Sequence, residues 1–266
     1  MYHEKMSCEN DIWSCCNVAL GESIPKDFSD YNGIILTGSH YNCRKREVYF
    51  PWYENVIELI KTVDINGYPN LFGGCFGHNL IALALGGTIG FNPNKKYVLQ
   101  IETLQTNELY QELYQSLYQD LYHDMYQNLG QSTAASTVLD ITSSVTVTVP
   151  VRSSSTAPVR SSDYSVISTH EDCVIDLPST ASLLGSTENN KNHFYIAGSN
   201  NNILALQSHP EFNLQYAVIE RIWLGVVLKR KLLSAEECSS SLKTFENYDD
   251  TDSDELCEMI SKFLHK

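Results

Sequence analysis

The stretch LFGGCFGHNLIALALGG, Leu71 to Gly87, decides how the rest of the chain is read. Apolar and glycine residues lead into Cys75, and a nearly continuous apolar run leaves it. That pattern predicts a strand, a sharp turn and a helix, with the cysteine at the junction. Amides at a helix start favour negative charge, and a sharp turn exposes a sulfur above the sheet. Gly73, Gly74 and Gly77 suit such a turn because they permit close backbone approach. The N–H of Phe76 would point toward an oxyanion formed at Cys75. On these residues alone two readings stay open: a nucleophile, or a small buried thiol of the core.

Working outward, YNGIILTGS reads as a strand over Ile34 to Thr37 that ends in a glycine turn. PWYENVIELIKTV reads as a helix with Pro51 at its first position and apolar residues at Val56, Ile57, Ile60 and Val63. Strand, helix, strand, helix in that order predicts an α/β fold with a mostly parallel sheet covered by helices. Further on, DYSVISTHEDCVIDLP predicts a strand and a turn, and HFYIAGSNNNILALQSHPEF a hairpin turning at Asn200 to Asn202. QYAVIERIWLGVVLKRKLL reads as an amphipathic helix. QSHPEF follows the apolar run ILAL, so His209 and Glu211 fall at a strand end, two residues apart. A histidine can deprotonate a thiol and a carboxylate can hold its tautomer. By itself, His-Pro-Glu in a loop also reads as ordinary surface.

Between these blocks, ELYQELYQSLYQDLYHDMYQNLGQ repeats Leu-Tyr-x-x from Leu109 to Leu129. Each four-residue step advances a helix by about 400°, so the stripe drifts about 40° per repeat into a broad apolar band. The Ser/Thr/Val-rich segment that follows reads as linker, and residues 105–163 together as an insertion.

The 266 residues suffice for one large domain with appendages, and the net charge of -14 argues against a nucleic-acid partner. Residues 236–258 carry a large share of the acid and are expected to be a solvated tail, with a short helix in DELCEMISKFLHK. No apolar run reaches the length of a membrane span, so no membrane partner is expected. MYHEKMSCENDIW lacks the features of a signal peptide, which makes a cytoplasmic setting and eight reduced cysteines the expectation. With no CxxC, no metal site is expected; GGTIG is too short for a phosphate loop, and no cofactor is expected.

GGCFGHN followed by a helix and ALGG, with SHPEF over a hundred residues later, resembles the class I glutamine amidotransferase family. The similarity is to stand-alone members related to the amidotransferase domain of GMP synthase and to gamma-glutamyl peptidases. It implies a flavodoxin-like open sheet with helices on both faces, over residues 13–234 and interrupted by the insertion 105–163. Residues 235–266 would form the acidic tail. The resemblance implies hydrolysis of a gamma-glutamyl amide bond through a thioester, with Cys75 as nucleophile, His209 as base and Glu211 as orienting carboxylate. YNGIILTGS resembles the oxyanion loop, placing Gly38 beside Phe76, and STHEDCVIDLP resembles a pocket segment carrying His170 and Asp172. Asn79 stands where the family usually has glutamine, near the bound glutamyl group. CCNVALGE resembles the family's second strand, so the first strand and helix of the pattern are missing from the reading. The implied partners are glutamine or a small gamma-glutamyl compound, with an unidentified acceptor protein where ammonia is transferred. The alternatives are an impaired scaffold that binds a partner, and a thiol sensor using Cys75, Phe76 and His78.

Overall fold

The computed structural model describes residues 2–44, 51–118, 163–212 and 227–266. A seven-stranded sheet runs through it in the order β1 (Gly33–Leu36), β2 (Asn70–Gly74), β9 (Ile203–Leu206), β8 (Phe194–Ala197), β7 (Ser182–Ser186), β4 (Val98–Thr106), β5 (Asp163–His170). Parallel pairing is confined to β1, β2 and β9, and the remaining neighbours are antiparallel. Five of the seven strands nevertheless share one direction, with β8 and β4 opposed. This is an α/β fold on a mixed sheet. A short antiparallel pair, β3 (Thr88–Phe91) and β6 (Asp172–Asp176), lies apart from it.

Helices cover both faces. On one side α2 (Pro51–Asn66) buries Val56, Leu59, Ile60 and Val63, an i, i+3, i+4, i+7 stripe, against the sheet and α3 (Phe76–Ala84). Gly67 ends α2 at φ 64°, where its N–H donates to the carbonyl of Val63 at 2.9 Å; a Cβ there would strike the Asn200 side chain. α3 is apolar nearly all round and buried accordingly, wedged between the sheet and α2. The β8–β9 hairpin turns through Gly198 to Asn202, with Asn201 at φ 53°, as the asparagine run predicts.

The other face corrects the expected solvated tail. Helix α6 (Thr251–Leu264) buries Leu256, Cys257, Met259, Ile260, Phe263 and Leu264 in one core with Phe72, Leu204 and Leu206. Its acids stand at the first turn and on the outward side, where the helix dipole and water both favour them. Helix α5 (Ala235–Lys243) starts with a capping box between Ser234 and Glu237. The short helix expected in DELCEMISKFLHK is present, but the acidic composition around it concealed that its apolar residues complete the core.

Three more sequence expectations meet the structure here. CCNVALGE forms a single 3-10 turn, Val18–Leu20, and not a strand. Among the described residues no strand precedes β1; the N-terminus supplies the short helix α1 (Tyr2–Met6) instead. The Leu-Tyr repeat is helical over residues 108–118 (α4), with Tyr110, Tyr114 and Leu117 buried and Leu109 exposed. The rest of that repeat, the Ser/Thr-rich segment and most of QYAVIERIWLGVVLKRKLL lie outside the described residues. β4 and β5 pair from Val98↔His170 to Gln105↔Asp163, so the two strands that flank the insertion are neighbours in the sheet.

Candidate active site

Strand β2 delivers Cys75 to the start of α3 with φ 50° and ψ -98°. A non-glycine residue with positive φ stores strain of order 1–3 kcal/mol, held only where the surroundings over-determine it. Here they do: the Cys75 N–H donates to the Leu206 carbonyl at 2.9 Å, and its carbonyl accepts from Asn79 N at 3.1 Å. The glycines around it are steric necessities. A Cβ on Gly77 would strike the Leu36 carbonyl, and one on Gly74 the Tyr2 hydroxyl. The Cys75 sulfur lies 3.8 Å from the Thr169 carbonyl at the end of β5.

His209 arrives from the opposite neighbour, just past β9. Its backbone N–H donates to the Ile167 carbonyl at 2.9 Å, its ring stacks on Phe212 at 4.2 Å, and its Nδ1 lies 2.7 Å from Glu211 Oε1. α6 clamps this loop from below, where the Cys257 thiol donates to the Pro210 carbonyl at 3.2 Å. Burial disfavours a charged imidazole, but the Glu211 carboxylate and the Cys75 sulfur outweigh it and raise the His209 pKa to about 10. Gly38, two residues past β1, is the point where these elements meet. A Cβ built there would stand 2.8 Å from His209 Cε1 and 3.6 Å from the Cys75 Cβ.

Phe76 opens α3, and its N–H is one of the helix's first amides, which find no partner within the helix. Asn79 is buried one turn further along α3, its carboxamide 3.2 Å from His78 Nδ1. His78 in turn meets the Asn192 carbonyl through Nε2 at 2.9 Å, and burial depresses its pKa to about 4. His170 goes elsewhere: its side chain lies with Glu102 and His193, its Nε2 3.8 Å from Glu102 Oε2. Asp172 is an ion-pair partner of Arg44, which also bonds Glu171 at 2.8 Å and lies over the Phe91 ring. Arg44 thereby ties the chain beyond Gly38 to β6.

Sequence reasoning missed Tyr2, Arg44, Glu102 and His193. Tyr2, from α1, edges onto the Phe72 ring and is so buried, and so near the Glu211 carboxylate, that its phenol pKa is raised. No motif marks any of the four. The one available signal was HFYIAGS, where a histidine opens a strand that proves wholly buried.

Residues 5–219 match the class-I glutamine amidotransferase family, and the chain belongs to that family. It is 26% identical over 241 residues to a glutamine amidotransferase-like protein of Schizosaccharomyces pombe, covering 90% of this chain and 74% of that protein. Gamma-glutamyl peptidase 4 of Arabidopsis thaliana is 23% identical over 235 residues, covering 87% of this chain and 75% of the peptidase. The crystal structure of a glutamine amidotransferase from Thermotoga maritima superposes with a TM-score of 0.62 at 15% identity, over 94% of this chain and 86% of that one. One from Methylobacillus flagellatus gives 0.60 at 14% identity, over 93% and 81%. These structural likenesses carry the fold. Among the described residues no helix is long and apolar enough to cross a membrane.

Proposed function

We propose that the protein hydrolyses the gamma-glutamyl amide bond of glutamine or of a small gamma-glutamyl compound, with Cys75 as nucleophile. The observation that carries this reading is the convergence on Gly38 of a cysteine at positive φ and an imidazole backed by a carboxylate.

In this reading the Cys75 thiol proton passes to His209, and the sulfur attacks the gamma-carbonyl carbon. The carbonyl electron pair moves to oxygen, which the backbone N–H groups of Gly38 and Phe76 stabilise. His209 returns the proton to the departing nitrogen as the C–N bond breaks, leaving a thioester on Cys75. Water, deprotonated by His209, attacks the thioester, the C–S bond breaks, and glutamate leaves. Glu211 fixes the imidazole and favours its charged form between these steps. Asn79 contributes the carboxamide beside the glutamyl group, and His170 makes no contact in this chemistry. The lowered pKa of His78, a buried residue of α3 itself, agrees with that division, since its neutral ring takes no proton.

Mass spectrometry after exposure to a glutamine-like diazoketone tests the proposal. One adduct per folded chain is expected on the Cys75 peptide, lost in Cys75→Ser and suppressed by excess gamma-glutamyl substrate. No adduct on folded protein, or one on a different cysteine, overturns it.

A further inference from the structure

A second buried polar cluster lies away from Cys75. Glu102 on β4, His170 on β5 and His193 just ahead of β8 are 5%, 4% and 0% exposed. Each offers one ligand atom, and the three atoms lie within 4.8 Å of one another. Within the cluster, Glu102 Oε2, His193 Nε2 and both nitrogens of His170 have no hydrogen-bond partner among the described residues. Buried polar atoms are rarely left so, because each has given up water without gaining a replacement bond.

The outer atoms, by contrast, are held. The Asn189 amide donates to Glu102 Oε1 at 2.8 Å, and Thr187 Oγ1 meets His193 Nδ1 at 3.2 Å. One oxygen of the carboxylate and one nitrogen of a ring are thus fixed from behind, leaving the other atom turned inward. That is how supporting residues orient metal ligands. Three atoms no more than 4.8 Å apart share a point within about 2.8 Å of each, and zinc takes nitrogen and oxygen ligands at about 2.0–2.2 Å. Side-chain adjustments of under about 1 Å close the difference.

We propose that Glu102 Oε2, His170 Nε2 and His193 Nε2 bind a divalent first-row metal ion, zinc foremost. Two imidazoles and a carboxylate suit such an ion and disfavour calcium or magnesium, which take oxygen. Ser168, two residues before His170 on β5, has an Oγ that is also buried and without a partner among the described residues. The ion would join β4, β5 and the segment entering β8, three pieces far apart in sequence. This inference does not rest on the proposed hydrolysis.

The experiment titrates metal-stripped full-length protein with Co2+, and in parallel with Zn2+ followed by dialysis and metal analysis. Expected are one ion per chain, a visible cobalt spectrum without a sulfur-to-cobalt charge-transfer band, and a higher unfolding temperature on loading. Glu102→Gln and His193→Gln should each weaken binding by well over tenfold. Should either fail to fold, Asn189→Ala and Thr187→Val, which leave the ligands in place, should weaken it about 10- to 100-fold. A second grouping, Cys8, Asp11 and His265, lies at the surface, and His265 there is already bonded to Asp11 and to the Ser261 carbonyl. Cys8→Ser should therefore leave binding unchanged. Folded protein that takes up no ion, a thiolate band in the cobalt spectrum, or binding lost in Cys8→Ser and kept in Glu102→Gln would each overturn the proposal.

Discussion

Two buried sets of histidine and carboxylate lie among the described residues, and they are finished differently. His209 and Glu211 are two residues apart on one loop and meet at 2.7 Å. His170 and Glu102 come from neighbouring strands, directly across neither register position, and stop at 3.8 Å. The first pair is joined directly, leaving Glu211 Oε2 without a hydrogen-bond partner among the described residues, and turns its ring to Gly38 and Cys75. The second leaves its inward atoms bare while its outer ones are bonded. Electrostatics separate them as well: at the first, an adjacent carboxylate raises the imidazole pKa despite burial. At the second, burial prevails and lowers the His193 pKa, while Glu102 is lowered despite burial by the electrostatic influence of the neighbouring rings. Neutral rings beside a carboxylate suit ligation, whereas an imidazole held between a carboxylate and a thiol suits proton transfer.

The largest expected effect falls on one side of that comparison alone. Cys75→Ala should lower gamma-glutamyl hydrolysis by at least about 10³-fold, as removal of a nucleophile does, and leave cobalt uptake untouched. Loss of both functions together would show that the two clusters are one site.

The core beneath the first cluster comes next. Ile260 is fully buried on α6, which also carries the Cys257 bond to Pro210. Ile260→Ala should destabilise the fold by about 2–5 kcal/mol in denaturant titrations. A change below about 0.5 kcal/mol, the range of a surface substitution, would restore the solvated-tail reading. Gly38→Ala follows, since its methyl would sit 2.8 Å from His209 Cε1. Displacing the ring by a few tenths of an ångström or more should lower kcat on the order of 10²-fold with little change in unfolding midpoint.

How far the sequence revealed these regions follows from how each is built. The elbow was legible because its chemistry is local: strand, glycine, cysteine and helix start lie within ten residues. SHPEF was legible for the same reason. The burial of helix α6 was missed because the charge of residues 236–258 dominated the reading, while Leu256, Met259, Ile260 and Phe263 share one face that extends past that stretch. The order of the sheet beyond β9 was hidden because β4 and β5 find each other across the insertion, which local pattern cannot foresee. Glu102 and His193 carry no spacing signal at all. Their meeting depends on register: Glu102 pairs opposite Val166, four residues before His170, on the same side of adjacent strands.

A pH profile sharpens the electrostatic side of the comparison. The His209 pKa is raised in the folded state, to about 10 from an unfolded value near 6.5. The stability this contributes is therefore complete below about pH 6.5 and is lost as pH rises toward 10. In Glu211→Gln the raising carboxylate is gone, so stability should decline less across that interval. The alkaline limb of kcat should move to lower pH in the same variant. A limb that stays in place would assign it to another group and remove Glu211 from the proposed chemistry.

The smallest expected effect concerns selectivity and tests how α3 meets the substrate. Asn79 reaches about 1.5 Å less far than a glutamine would, by one methylene. Its carboxamide is engaged with His78 Nδ1 at 3.2 Å, so the short side chain is held back along the helix. Free glutamine has little besides its glutamyl group to bind, whereas a gamma-glutamyl peptide brings further contacts beyond the scissile nitrogen. Loss of one neutral hydrogen bond, about 1 kcal/mol, should therefore weigh more heavily on glutamine. Asn79→Gln restores the reach and should raise kcat/KM for glutamine relative to gamma-glutamyl dipeptides by about fivefold. The competing outcome is equally concrete. A longer side chain freed from His78 leaves that buried ring short of a partner and lowers both specificity constants alike. An unchanged ratio would mean that Asn79 serves His78 and the packing of α3, and that substrate choice is made elsewhere around Cys75.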